Sequence, residues 1–175
     1  MASGNLTQAF SVAMMLFIAL GNTPSNLPNS PPIEPPTVTN STPRNQIKRM
    51  VFEEAIAYNF PPALALAVAR VESDFNAEAL SSAGARGVMQ IMPRTGRSEY
   101  GVADYELWNA RLNVRLGIDY LSRLYRQYGG RWDLALSHYN GGTLLGQGRS
   151  AIPHRYTRRY VRSVYRWWRY YEQRI

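Results

Sequence analysis

The apolar residues of this chain fall into blocks with helical spacing. Ile47, Met50, Val51, Ala55 and Tyr58 recur on one helical face and predict a first amphipathic helix. Pro61-Pro62 suits a helix start, where a missing N–H costs nothing. The following block, Ala63 to Ser73, is nearly all apolar and has no polar face, which places it inside the core. Gly117, Tyr120, Leu121, Leu124, Tyr125 and Tyr128 mark a further helix, closed by Gly129-Gly130. Trp132 to Tyr139 reads as a short helix stopped by Gly141-Gly142. Thr157 stands where it can cap a last helix containing Tyr160, Val161, Val164, Trp168 and Tyr171. No stretch sustains period-two alternation, so the fold class is all-α, with minor β at most.

The front of the chain follows a different pattern. Ala9 to Leu20 is an apolar run too short to cross a bilayer comfortably but long enough for a signal-peptide core. Ala19-Leu20-Gly21 supplies small residues for cleavage, whereas Met1 to Gln8 lacks the usual Lys or Arg. Residues 1–21 are therefore expected to be a signal peptide, with a short anchor or a buried helix as alternatives. Residues 22–45 are rich in Pro, Ser, Thr and Asn, including Pro31-Pro32 and Pro35-Pro36, and predict a disordered linker. One folded domain is expected over 46–175, with no internal repeat and no stable membrane span after processing.

Composition narrows the chemistry. With 45% hydrophobic residues in 175, the chain can build a core. Its formal net charge of +8 suits polyanions of any kind, from nucleic acid to membrane surface to wall polymer. There are no cysteines, which removes disulfides, thiolate metal sites, cysteine nucleophiles and a lipidated cysteine after the apolar run. Only His138 and His154 could serve a triad or an imidazole metal site. Neither a metal nor an organic cofactor is implied, and hydrolytic chemistry would fall to carboxylates.

Glu72 is the carboxylate that does not fit its surroundings. It shares a helical face with Ala65, Val68 and Ala69, near the C-terminal end of the apolar block. Burial and the negative end of the helix dipole both disfavour its charged form. An acid held neutral near pH 7 is what glycosidic general-acid catalysis needs. The plain alternative is a surface glutamate paired with an arginine such as Arg70. Asp74 and Glu78 lie at the helix end or in the loop and read as capping or solvated groups.

Around Glu72 the residues resemble a known family. Glu72-Ser73-Asp74-Phe75-Asn76, followed by Ser81-Ser82-Ala83-Gly84-Ala85-Arg86-Gly87-Val88-Met89-Gln90-Ile91-Met92-Pro93, is similar to the signature of the soluble lytic transglycosylases. Gly117-Ile118-Asp119-Tyr120-Leu121 and His138-Tyr139-Asn140-Gly141-Gly142 resemble its later blocks, in order. The likeness covers roughly residues 46–165. It departs at His138, where a small residue is usual in the family, and at Gly142, where a small residue varies. The short, signal-like chain also resembles the specialised transglycosylases of secretion and conjugation machines.

The resemblance implies a lysozyme-like α fold acting on peptidoglycan glycan strands in the periplasm or outside the cell. It implies cleavage of the β-1,4 bond between N-acetylmuramic acid and N-acetylglucosamine, leaving a 1,6-anhydro ring. Glu72 would be acid and then base, and Tyr139 would hydrogen-bond it. Gln90 would contact sugar amides or hydroxyls, Ser81 the reacting sugar, and Tyr120 the groove. Met89 reads either as an apolar wall for a sugar ring or as core filling. Ser73 reads as a polar contact or a helix-end cap, and Asn140 as a substrate contact or a tie for its loop. Arg86 would meet a substrate carboxylate or simply be exposed, and Tyr160 is read as core. Gly84 and Gly87 would let the loop backbone approach the substrate.

The last helix interleaves Arg155, Arg158, Arg159, Arg162, Arg166 and Arg169 with Tyr160, Tyr165, Trp167, Trp168, Tyr170 and Tyr171. Its plain reading is a solvated arginine face over an aromatic core face, with Trp167 and Tyr170 available to a partner. Three function classes compete: the transglycosylase with its lysozyme variant, a non-catalytic wall-binding assembly factor, and a nucleic-acid binder. The last leaves the Glu72 to Pro93 block unexplained, so no nucleic-acid partner is expected.

Overall fold

The computed structural model describes residues 42–175. The expected signal segment and nearly all of the expected linker lie outside these residues. Helix α1, Pro43–Ala57, starts ahead of the expected boundary at Gln46 and takes up the linker's last residues. Thr42 caps it, its hydroxyl accepting from the Asn45 N–H at 3.4 Å, and Pro43 occupies the first turn.

Helix α2, Pro62–Ser73, begins on its proline as the sequence predicts. Every residue from Ala63 to Ala69 is buried. Helix α2 lies between α1 and the last helix, α6, Arg158–Glu172. Small alanines let both neighbours approach closely. Helix α4, Ala110–Gln127, packs on α1 and on α5, Trp132–Gly141, and α5 meets α6. Tyr58, expected on the buried face of α1, lies beyond its end and is exposed.

Two elements give no apolar signal in the sequence. Helix α3, Pro93–Tyr100, buries only Gly96, and a 3-10 turn follows at Asp104–Trp108. Helix α4 also starts earlier than its apolar spacing suggests, because the polar Asn113 is buried within its first turns. The Asn109 side chain caps it, accepting from the Leu112 N–H at 3.0 Å. Thr157 does precede α6, but its hydroxyl bonds Ser137 and the His154 carbonyl rather than the helix N-terminus. Among the described residues there is no strand, only isolated pairings such as Leu80 with Arg86 and Arg86 with Ile91. No described helix is long and apolar enough to cross a membrane.

A buried ion cluster ties α1 to α4. Glu54 accepts from Arg115 Nε at 2.7 Å and from Arg111. Arg115 first, then Arg111, hold its carboxyl below the usual range against the opposing effect of burial. Gly117 on α4 allows a close approach: a Cβ there would lie 2.7 Å from Met89 Cβ. Met89 thereby packs flat against the α4 backbone, and this fixes the height of the loop that runs past Glu72.

Candidate active site

Helix α2 ends one residue after Glu72, and the chain then turns sharply. Asp74 and Phe75 both adopt left-handed backbone, at φ 55° and 63°. Aspartate tolerates this conformation but a bulky phenylalanine does not, so the surroundings must impose it at Phe75. Arg44 and Arg70 pair with the Asp74 carboxylate, and Phe75 is buried edge-on against Tyr171. The turn directs the chain across the end of α2 and leaves the Glu72 side chain in the last helical turn.

Glu72 is part-buried, and its Oε1 accepts from Tyr160 Oη at 2.6 Å. Burial pushes its carboxyl up to about 7, and the Tyr160 bond pulls the other way. Asp74 and Glu78 are exposed, as expected of solvated groups. Among the described residues no second carboxylate contributes to the Glu72 shift. The site therefore holds one acid, poised near neutrality, with a phenol on one oxygen.

That phenol belongs to Tyr160, which corrects the expectation that Tyr139 would fill this place. Tyr139 Oη instead donates to the Met89 carbonyl at 2.8 Å. Both phenols are driven well above their ordinary range, mainly by burial and next by the Glu72 charge, so both stay protonated donors. In the sequence Tyr160 continues the apolar face of α6 and so reads as core. Its distinguishing feature is that α6 packs on α2 with Tyr160 at Glu72, which no local pattern reveals.

Removing the Tyr160 donor has a direct consequence. Tyr160→Phe is expected to move the alkaline limb of the pH–rate profile to higher pH, since the bond favours ionised Glu72. It should also lower the rate at pH 7 by roughly 10- to 100-fold, the worth of a hydrogen bond to a charged group. A pH–rate series on a soluble glycan measures both; an unmoved limb would remove Tyr160 from the site.

Several expected contact residues hydrogen-bond the loop backbone. Ser73 Oγ donates to the Val88 carbonyl at 2.8 Å. Ser81 Oγ accepts from the Ala85 N–H at 2.9 Å, closing a turn. The Met89 side chain is fully buried, so core filling is its role and it forms no exposed wall. Gln90 is left-handed at φ 50°, and its Nε2 donates to the Ala79 and Gly87 carbonyls, each at 3.0 Å. Arg86 donates to the Asp104 carbonyl at 2.6 Å and lies over Trp108. Gly87 makes room for protein: a Cβ there would come within 2.7 Å of Asn113 Nδ2.

Asn113 is the residue that sequence reasoning missed. Fully buried, its Oδ1 accepts from the Met89 N–H at 2.8 Å. Its Nδ2 donates to the Arg86 carbonyl at 2.8 Å and the Leu107 carbonyl at 3.0 Å. A signal existed, since a lone amide sits one helical turn before Gly117 on the apolar face of α4. Tyr120 does lie beside the site, its ring 5.7 Å from that of Tyr139 and its hydroxyl 3.3 Å from His138 Nε2. Tyr128 holds the other His138 nitrogen at 2.7 Å, so His138 braces Tyr120 from behind. Asn140 is exposed at the end of α5. No group of three or more His, Cys, Asp or Glu that could hold a metal occurs among the described residues.

The family model described as the transglycosylase SLT domain matches residues 49–158, which is most of this folded part. The chain belongs to the transglycosylase SLT domain family. The SLT domain is 35% identical over 128 residues to the soluble lytic murein transglycosylase of Salmonella typhimurium, covering 61% of this chain and 20% of that one. It is 37% identical over 76 residues to membrane-bound lytic murein transglycosylase D of Escherichia coli, covering 41% and 17%. The chain thus spans about a fifth of the length of these curated relatives.

Among solved structures, an inactive glutamate-to-glutamine mutant of lytic transglycosylase Slt from Pseudomonas aeruginosa is similar at 29% identity. Its TM-score is 0.59, with 72% of this chain and 24% of that one covered. A 70-kDa soluble lytic transglycosylase in complex with bulgecin A matches at 28% identity and TM-score 0.61, covering 71% and 24%. The all-α, lysozyme-like architecture expected from the sequence is that of these neighbours.

Proposed function

We propose that the SLT domain is a peptidoglycan lytic transglycosylase in which Glu72 is the acid and base. One observation carries this reading: a single carboxyl, part-buried and poised near pH 7, faces a phenol donor at the end of the central helix. The relatives named for murein cleavage support the substrate, and the inactive glutamate-to-glutamine neighbour supports a glutamate as the working group.

In this reading the protonated Glu72 gives its proton to the glycosidic oxygen as the bond to the muramic C1 breaks. The substrate's own N-acetyl oxygen stabilises the positive carbon, the known course where a second carboxylate is missing. The Glu72 carboxylate, steadied by Tyr160, then takes the proton of the muramic 6-hydroxyl as that oxygen closes on C1. The acid is regenerated, and no water enters the product. Such a substrate puts the enzyme in the cell envelope, periplasmic or secreted, which agrees with a signal peptide at residues 1–21. A place beside a secretion or conjugation machine belongs to the same proposal and rests on the resemblance alone.

Mass spectrometry of muropeptides released from purified peptidoglycan tests the reading. The expected products end in anhydro-muramic acid, lighter by one water than reducing ends. Reducing-end products would make the protein a lysozyme-type hydrolase. No release by folded protein would leave the wall-binding assembly role in its place.

A further inference from the structure

The surplus positive charge is concentrated in one place. From Arg155 to Ile175 the chain carries seven arginines against the single Glu172, which accounts for six of its eight net positive charges. Elsewhere in the described residues arginines are commonly neutralised: Arg44, Arg70, Arg86, Arg97, Arg111, Arg115, Arg123 and Arg131 each pair with a carboxylate. Arg155, Arg158, Arg159, Arg162, Arg166 and Arg169 are all exposed and form no ion pair with any described residue.

Helix geometry turns this surplus into a surface. Arg159, Arg162, Arg166 and Arg169 recur at steps of three and four, so they share one face over roughly 15 Å of α6. They line a shallow depression with Ser163 and Tyr165. Tyr160, Val164 and Tyr171 occupy the opposite face, which packs on the core, with Tyr160 reaching Glu72. The arginine face therefore points away from the acid, and a glycan held at Glu72 does not explain it.

We infer that the outward arginine face of α6 binds the surface of an anionic phospholipid bilayer by charge, without insertion. Most aromatic residues of the helix are turned inward: Trp168 packs against Trp132 and Tyr165, and Trp167 against Tyr171 and Arg70, while Tyr170 alone is exposed, with Arg174 lying over its ring. That leaves no row of free rings on which bases of a single-stranded nucleic acid would stack. It also leaves no apolar stripe on the outer face to enter lipid, because the apolar face of α6 is already spent on α2. An open face lined by arginines and free of acids suits a layer of phosphates, which needs contact from one side only. Docked this way, the end of α2 would face outward from the membrane. Only that last consequence rests on the proposed reaction; the binding surface itself does not.

Vesicle co-sedimentation of the full chain tests it. The protein is expected to bind vesicles containing phosphatidylglycerol, to ignore pure phosphatidylcholine, and to be released by salt. Each basic residue at such a surface is worth about 1 kcal/mol, a factor of about five in partition. Arg159→Gln, Arg162→Gln and Arg166→Gln together should then weaken binding roughly a hundredfold. The triple variant Arg49→Gln, Arg94→Gln, Arg126→Gln, with the same net charge, should retain most of it. The apolar run at 9–20 is common to all variants and cannot create a difference between them. Equal loss in both triples, undiminished binding by the α6 triple, or tighter binding to duplex DNA than to anionic vesicles would each overturn the inference. Muropeptide release from soluble glycan, measured on the same α6 triple, is expected to be unchanged and keeps this result separate from the enzymatic one.

Discussion

Glu72→Gln is expected to abolish glycan cleavage, with a rate loss of at least 10²-fold and up to about 10⁴-fold, the usual contribution of a general acid. Glutamine keeps the shape of the side chain and can still accept from Tyr160, so the constellation stays in place. It cannot give up a proton to the leaving oxygen. The same variant should be more stable than the native protein at alkaline pH. The folded state holds the Glu72 proton up to about pH 7, whereas the ordinary carboxyl loses it near 4.5. Between those limits the folded state binds more protons, so native stability falls as pH rises through this window. The full penalty is present above pH 7 and absent below 4.5. It amounts to roughly 3 kcal/mol at most, lessened by the solvent-facing edge of the carboxyl. Urea titrations of both proteins at pH 4 and pH 8 check this: the curves should converge at the lower pH and separate at the higher. A variant that is inactive and also destabilised at both would mean that Glu72 supports the fold and not the reaction.

Asn113→Ala should be the most damaging substitution outside the site itself. It leaves the Met89 N–H and the Leu107 carbonyl buried without their partner and takes from the Arg86 carbonyl one of its two donors, the Ile91 N–H remaining. Each such group costs about 1–3 kcal/mol, so a loss of about 3 kcal/mol or more is expected in the urea midpoint. The effect should reach the chemistry, because Tyr139 is anchored on the Met89 carbonyl. Asn113→Asp keeps the acceptor for Met89 but sets a fully buried carboxyl oxygen against the Arg86 and Leu107 carbonyls, and should cost at least as much as Asn113→Ala. A near-neutral Asn113→Ala would show that water replaces the amide and that the loop is held by other contacts.

The sequence made much of this legible, and the remainder was hidden for identifiable reasons. Helices α2 and α6 could be placed because burial writes itself as apolar spacing, as at Ala65, Val68 and Ala69 or Val164 and Tyr171. Glu72 stood out because a charged residue broke that spacing. Helix α3 was missed because its only buried residue is a glycine, and a helix that rests on the surface needs no apolar stripe. The exchange of roles between Tyr139 and Tyr160 was invisible for a deeper reason. Both are tyrosines on apolar faces, and only the tertiary packing of α6 on α2 decides which hydroxyl meets the carboxyl. Ser73, Ser81 and Gln90 sit in the family signature, yet here their polar atoms bond loop backbone. A recognisable motif can therefore record the needs of a tight loop as well as those of a substrate.

The bond between Glu72 and Tyr160 joins residues 88 positions apart. It also joins the two helices that share the largest contact in the domain, α2 and α6. Until the segment around Tyr160 has been made and delivered, α2 has no cover on that side and Glu72 has no phenol. Such long-range closure comes late in folding, since the loop entropy must be met before the contact repays it. The Glu72 environment is thereby completed only when the distal part of the chain has packed, and a chain lacking that part would carry the carboxyl without its phenol partner.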